Sequence, residues 1–71
     1  MILIMKCGEI VILNRDTDFF EAGRKAHFIR HSKENPNNAE IVWFGSEESF
    51  KLFGDVDIVP FEMLTPLASL C

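Results

Sequence analysis

The sequence has no tyrosine, only two cysteines and only four glycines, and each shortage excludes a class of protein. Two cysteines, Cys7 and Cys71, are too few for the disulfide framework that stabilises many small secreted domains. Four scattered glycines leave no glycine-rich loop that could cradle a phosphate group. Neither a Cys-x-x-Cys nor a His-Glu-x-x-His pattern occurs, so the common signatures of a metal site are missing as well. We therefore expect no cofactor and no bound metal ion.

Few side chains remain as candidates for catalysis. His27 and His31 are four residues apart, a spacing that suits a shared metal on a helix but separates the imidazoles by roughly 13 Å on a strand. Cys7 with a distant histidine is the minimum for a thiol nucleophile, but free cysteine is more often a small buried apolar residue. Asp55 and Asp57 alternate on one strand, where such carboxylates usually keep an exposed edge soluble. We predict that the protein is not an enzyme.

Length and composition indicate one small globular domain. The 71 residues leave no room for a second core, so residues 1–71 are predicted to form a single domain. The chain is 48% hydrophobic, with seven phenylalanines and one tryptophan, which is ample for a core. The apolar start from Met1 to Met5 is too short to cross a bilayer and does not have the form of a signal peptide. We therefore expect a cytoplasmic protein without a membrane partner.

Charge is distributed unevenly along the chain. Residues 1–33 carry six basic and four acidic side chains, a balance of +2, whereas residues 34–71 carry one basic and seven acidic, a balance of −6. Binding to nucleic acid normally needs a clustered positive field. The one such cluster in the sequence consists of Arg24, Lys25, Arg30 and Lys33. It supports an alternative function in nucleic-acid binding, and the acidic half supports another, in which the protein competes with nucleic acid for a basic site on its partner.

Three segments have the composition of strands. Glu9–Leu13 is a β-branched run that predicts a strand buried on both faces. Ala39–Phe44 alternates large apolar side chains on both faces and follows a loop at Asn35–Asn38. Val56–Val59 is predicted to be the closing strand, and Pro60 is expected to end it because proline has no N–H for the ladder.

Two further segments allow either a helix or a strand. Residues 18–34 have a helical stripe of apolar residues, but Gly23 would then lie in the helix interior at a cost of about 1 kcal/mol. The other interpretation is a long loop closed by Gly23 and followed by a strand over Lys25–His31. Residues 46–53 have a serine N-cap, two acidic residues in the first turn and Gly54 after the end, but they also suit a hairpin strand.

The end of the chain gives the most direct indication of architecture. The run from Asp57 to Leu64, Asp-Ile-Val-Pro-Phe-Glu-Met-Leu, predicts a short strand, one tight turn and a return strand. Together with residues 8–13, Gly23 and residues 40–44, it resembles the layout of Src homology 3-like small barrels. In that family a closing strand runs into a proline and a single 3₁₀ turn, and small phage-type members use the barrel as a docking module.

The resemblance implies an all-β fold, a small five-stranded barrel with a terminal 3₁₀ turn. The alternative from the residue patterns is a compact α/β unit with helices near 18–34 and 46–53. The chain departs from the polyproline-binding members, which carry an Ala-Leu-Tyr-Asp-Tyr run, because it has no tyrosine. The resemblance therefore implies the fold without the ligand, since hydroxyl-bearing aromatic walls clamp polyproline ligands.

The aromatic side chains are more numerous than one small barrel hides, which indicates an exposed binding patch rimmed by acids. We predict a non-enzymatic protein-binding module that acts as an adaptor, regulator or inhibitor of a protein partner. An open strand edge and surplus aromatic residues also allow a homodimer. The predicted protein-binding residues are Phe19, Phe20, Trp43, Phe61, Glu47, Glu48 and Asp55.

Overall fold

The computed structural model describes residues 8–67 of the chain. This part contains five short strands, one helix and one 3₁₀ turn, joined by loops. The elements are β1 (Ile10–Leu13), β2 (Lys25–His31), β3 (Asn38–Trp43), α1 (Glu47–Phe53), β4 (Asp57–Pro60), the 3₁₀ turn (Phe61–Met63) and β5 (Leu64–Pro66). The predictions that concern Cys7, Cys71 and the segment from Met1 to Met5 lie outside the described residues. Within residues 8–67, no helix has the length and apolar character needed to cross a membrane.

All five strands belong to one antiparallel sheet in the order β4-β3-β2-β1-β5. Its two edges, β4 and β5, are therefore consecutive in the chain and joined only by the 3₁₀ turn. A flat sheet of five strands would separate its edges by about 19 Å. The four Cα–Cα steps from Pro60 to Leu64 reach at most about 15 Å. The sheet must curl, although within residues 8–67 it stays open, because no ladder joins β4 to β5.

One face of the curled sheet forms the core. Alternate residues of β1, β2 and β3 point into it, and the register brings Ala26 of β2 opposite both Val11 of β1 and Trp43 of β3. Burial of each large apolar side chain contributes about 1.5–3 kcal/mol. The buried cluster consists of Val11, Leu13, Ala26, Phe28, Ala39, Ile41, Trp43, Val59 and Leu64.

The opposite face of the sheet is only partly covered. Ile10 and Ile12 are half-buried, so the prediction that the first strand is buried on both faces is wrong for its outer side. Val42 is buried on this face, where Val42, Ile29 and Phe50 of α1 line an apolar groove of about 250 Å³. The helix thus covers part of the outer face, although none of its own residues is buried.

The structure distinguishes between the two interpretations of the segment after β1. The predicted strand over Lys25–His31 is confirmed, and the alternative helix near 18–34 is wrong. Gly23 has a φ of +93°, and its N–H donates to the Leu13 carbonyl, while the Leu13 N–H donates to the Arg24 carbonyl. Gly23 and Arg24, just before β2, therefore both oppose Leu13 of β1, as in a G1-type β-bulge. This pairing with β1 replaces the bonds that a helix would have made.

The predicted helix near 46–53 is confirmed as α1. It ends at Gly54, whose left-handed conformation (φ +71°) lets its N–H donate to the Phe50 carbonyl. Ser46 occupies the N-cap position but makes no side-chain cap. Glu47 Oε1 instead accepts the N–H of Gly45 at 2.8 Å. The fold therefore joins the sheet predicted for the all-β fold to one helix of the α/β alternative.

The strand predicted over Val56–Val59 is observed as β4, one residue later at each end, and it ends at Pro60 as predicted, although Pro60 is itself part of the strand. The N–H of Phe61 donates to the Asn37 carbonyl of the β3 side. Because only every second residue of an edge strand bonds to its neighbour, the backbone nitrogen of Pro60 points away from β3. The missing N–H thus lies on the open edge and removes no bond of the ladder. β5 also ends with a proline, Pro66. Prolines make both edges poor templates for a further strand, so pairing of edges is an unfavourable route to a homodimer.

The bulge predicts the effect of replacing Gly23. No heavy atom lies within 4 Å of a Cβ built at this position, so Gly23→Ala should destabilise the protein only through its backbone conformation. We expect a loss of about 1–2 kcal/mol in the free energy of unfolding, measured in urea, and a smaller loss for Gly23→Asn. Ala22→Gly serves as the control. Equal losses for the alanine and asparagine variants would contradict this account.

Candidate functional site

The loop between β1 and β2 is held by its own polar side chains. Thr17 Oγ1 accepts the N–H groups of Phe19 and Phe20 at 3.2 and 2.9 Å. Asp16 Oδ1 accepts the N–H of Ala22 at 2.8 Å and closes the second half of the loop. Such turns, in which a short polar side chain replaces a backbone acceptor, fix the chain locally. The loop is therefore a structured element of the surface.

The two neighbouring phenylalanines of this loop have opposite environments. Phe20 is half-buried, and its ring centroid lies 4.6 Å from that of Trp43. Phe19 leaves 86% of its surface exposed, with its ring centroid 6.4 Å from that of Phe20. Burying such a ring on a partner contributes about 1.5–3 kcal/mol. An exposed aromatic side chain on a backbone held by hydrogen bonds is therefore the first candidate for a docking contact.

An apolar groove of about 260 Å³ runs between this loop and the edge of the sheet. Phe19 and Phe20 line one side, and Ile58 and Pro60 of β4 with Met63 of the 3₁₀ turn line the other. Ile58 is exposed, which is unusual for a large side chain on a short strand. We call this feature the Phe19 groove. It joins predicted residues to two that the sequence analysis missed, Ile58 and Met63.

Trp43, predicted as part of the exposed patch, is instead a core residue with 4% of its surface exposed. Phe20 covers its ring, and the guanidinium carbon of Arg24 lies 4.4 Å from the ring centroid. Its Nε1–H is buried without a hydrogen-bond acceptor among residues 8–67. Trp43 therefore packs beneath the loop and has little surface available for any contact outside the fold.

Phe61 lies on the other side of Pro60, next to a separate cleft of about 620 Å³. Its ring centroid is 4.7 Å from that of His31 and 6.1 Å from that of Phe28. His31 is held in turn by a 3.0 Å hydrogen bond from Nδ1 to the Pro36 carbonyl. Phe61 thus packs at the margin of the core, so the structure does not unite it with Phe19 in one groove.

The predicted acidic residues occupy α1 and the loop that follows it. Glu47 Oε2 lies 3.0 Å from His27 Nε2, and the His27 ring stacks on Phe44 with centroids 4.7 Å apart. Hydrogen bonds from its own backbone N–H, from His27 and from the N–H of Gly45 lower the pKa of Glu47 below its ordinary value of 4.5. Glu47 therefore holds the start of the helix, whereas Glu48 and Asp55 are exposed.

The predicted basic cluster is spread along β2. Arg30 Nε donates to Glu40 Oε1 at 2.8 Å, and the Arg24 guanidinium lies over two aromatic rings. Lys25 and Lys33 are both exposed; Lys25 is the first residue of β2 and Lys33 lies two residues past its end, so the length of the strand, about 20 Å, separates them. The basic cluster therefore provides no concentrated positive field.

Within residues 8–67, no group of three or more metal-ligating side chains comes together.

Comparisons with protein-family models, with curated proteins and with solved structures find no match to this chain. Its function is therefore inferred from the arrangement of its own residues.

The lowered pKa of Glu47 predicts an acid-dependent loss of stability. Ionised Glu47 stabilises the folded state at pH values above 4.5, and this contribution disappears as the pH falls through the lowered value. Glu47→Gln should remove that part of the pH dependence, measured by urea unfolding at a series of acid pH values. Glu48→Gln is the matched control and should keep the wild-type profile. An equal flattening of the profile by both substitutions would contradict this role.

Proposed function

We propose that this protein is a small, non-enzymatic, cytoplasmic binding module that docks on a protein partner through the Phe19 groove. The observation that carries the proposal is the 86% exposure of Phe19 in a loop fixed by side-chain hydrogen bonds. Aromatic anchors dominate the energy of many interfaces. A pre-ordered anchor also avoids much of the entropy loss on binding. In this role the protein acts as an adaptor, regulator or inhibitor.

The topology supports assigning the curled sheet to the Src homology 3-like barrels. The fifth strand returns to the first, and a proline with a 3₁₀ turn joins the two edges. In this assignment the Phe19 groove lies between the β1–β2 loop and the 3₁₀ turn. The groove lacks tyrosine, and apart from Thr17 and Asp18 its lining is hydrocarbon, so we expect it to accept an apolar side chain of the partner and not a polyproline helix.

Replacing Phe19 tests the proposal directly. Phe19→Ala should leave the free energy of unfolding within about 0.5 kcal/mol of wild type, because the ring is exposed. It should weaken partner binding by about thirtyfold or more, as expected for a hot-spot residue. The partner is captured from cell lysate with tagged protein at low and at 0.5 M salt, identified by mass spectrometry, and titrated by calorimetry.

Phe53→Ala is the matched control for this experiment, because Phe53 is 74% exposed but lies on α1. Loss of binding with Phe19→Ala and its retention with Phe53→Ala would support the groove. The reverse result would overturn the groove in favour of the helix.

A second candidate function uses the surface around α1. Leu52 and Phe53 are 72% and 74% exposed, and the acidic residues Glu48 and Asp55 lie beside them in the chain. Glu48 and Leu52 are four residues apart, so they share one face of the helix. An acidic surface with apolar contacts suits a basic site on a partner, as in an inhibitor that competes with nucleic acid.

Reversing two charges tests this second function. Glu48→Lys with Asp55→Lys should abolish binding at low salt, because like charges would then face the basic site. Glu47 stays unchanged in this variant, since it holds the start of α1. The pair Glu21→Lys with Glu34→Lys makes the same charge change elsewhere and should have little effect. Binding that survives the first pair would contradict the inhibitor model.

Nucleic-acid binding is the alternative with the least support, because Arg24 and Arg30 are engaged within the fold. It would become the preferred function if the capture experiment returned nucleic acid alone, at low salt only.

A further inference from the structure

The Arg24 guanidinium has a defined position without a carboxylate partner. Within residues 8–67 it makes no ion pair and no side-chain hydrogen bond. Its guanidinium carbon lies 5.0 Å from the centroid of the Phe20 ring and 4.4 Å from that of Trp43. The centroids of the two rings are 4.6 Å apart and their planes are tilted by 40°, so one cation contacts a packed pair of aromatic side chains.

We propose that Arg24 is a positioning residue that clamps Phe20 onto Trp43 and thereby fixes Phe19 at the Phe19 groove. The backbone of Arg24 is anchored to β1, because its carbonyl accepts the Leu13 N–H at 2.9 Å. From this anchored position its side chain reaches back over the loop. The consequence for binding rests on the function proposed above for the groove.

The geometry favours arginine over other cations at this position. A planar guanidinium stacks on aromatic faces and is less strongly hydrated than an ammonium group. The guanidinium lies against both rings at once, because its distances to the Phe20 and Trp43 centroids are similar to the distance between the two rings. Because Phe19 follows Thr17 in the same turn, any release of Phe20 would also release the neighbouring Phe19.

The clamp is tested first on the free protein. Arg24→Gln removes the charge, Arg24→Lys keeps it without the plane, and Lys25→Gln removes the neighbouring exposed charge as a control. Trp43 is the only tryptophan, so its fluorescence reports the environment of the clamp without interference. Amide ¹⁵N relaxation reports the mobility of the turn from Thr17 to Phe20.

We expect Arg24→Gln to shift the Trp43 emission and to increase mobility in the turn, with a partial rescue by lysine and no effect of Lys25→Gln. The amides of β2 and β3 should keep wild-type relaxation, which separates this local effect from a general loss of structure. Unchanged emission and mobility in Arg24→Gln would overturn the inference, and so would an equal change in Lys25→Gln.

The binding measurement separates this inference from the proposed function. With the partner captured by wild-type protein, Arg24→Gln should weaken affinity by about threefold to thirtyfold, less than Phe19→Ala. If Phe19→Ala leaves affinity unchanged, the groove is not the binding site, although the free-protein result still decides the clamp. If Phe19→Ala abolishes binding while Arg24→Gln leaves it intact, the clamp has no part in recognition and that part of the inference is overturned.

Discussion

The short connection between the two edges of the sheet is the constraint on which the rest of the structure depends. Only three residues separate β4 from β5, although these strands lie at opposite ends of the strand order. The sheet must therefore curl around its own core, and the curl brings the β1–β2 loop beside β4 and the 3₁₀ turn. The Phe19 groove exists because these segments meet there. A flat sheet with the same strands would have neither an enclosed core nor this groove.

The β1–β2 loop gives two adjacent phenylalanines different environments: Phe20 packs on Trp43, and Phe19 is exposed. Its ends are set by hydrogen bonds to Leu13, and its turn is set by Thr17. Phe20 can then face Trp43 while Phe19 faces away from it. A flexible loop would bury both rings whenever the core had room, since burial of apolar surface is favourable. The polar side chains of the loop thus determine which aromatic surface remains available to a partner.

The sequence predicted elements that depend on local signals and failed where the choice depended on distant pairing. Helix α1 was recognisable because Ser46 and Gly54 mark its ends. The apolar pattern of residues 18–34 fitted a helix and a loop followed by a strand equally well. The choice is made by backbone hydrogen bonds that join Gly23 and Arg24 to Leu13, which lies ten residues before Gly23. Trp43 was predicted to be exposed because the chain has more aromatic side chains than one small barrel hides. Only its register against Ala26 directs it to the core. Ile58 was missed because its exposure depends on β4 being an edge strand.

The same structure changes the meaning of the uneven charge distribution. Arg30 pairs with Glu40, which neutralises one charge of each sign, whereas the Arg24 guanidinium lies over aromatic rings and keeps its positive charge. Glu48 and Asp55 make no ion pair within residues 8–67, so their charges face solvent. The chain carries a net charge of −4, so the surface field as a whole is acidic. Such a field repels a phosphate backbone at long range and attracts basic protein surfaces, which favours a protein over a nucleic acid as the partner.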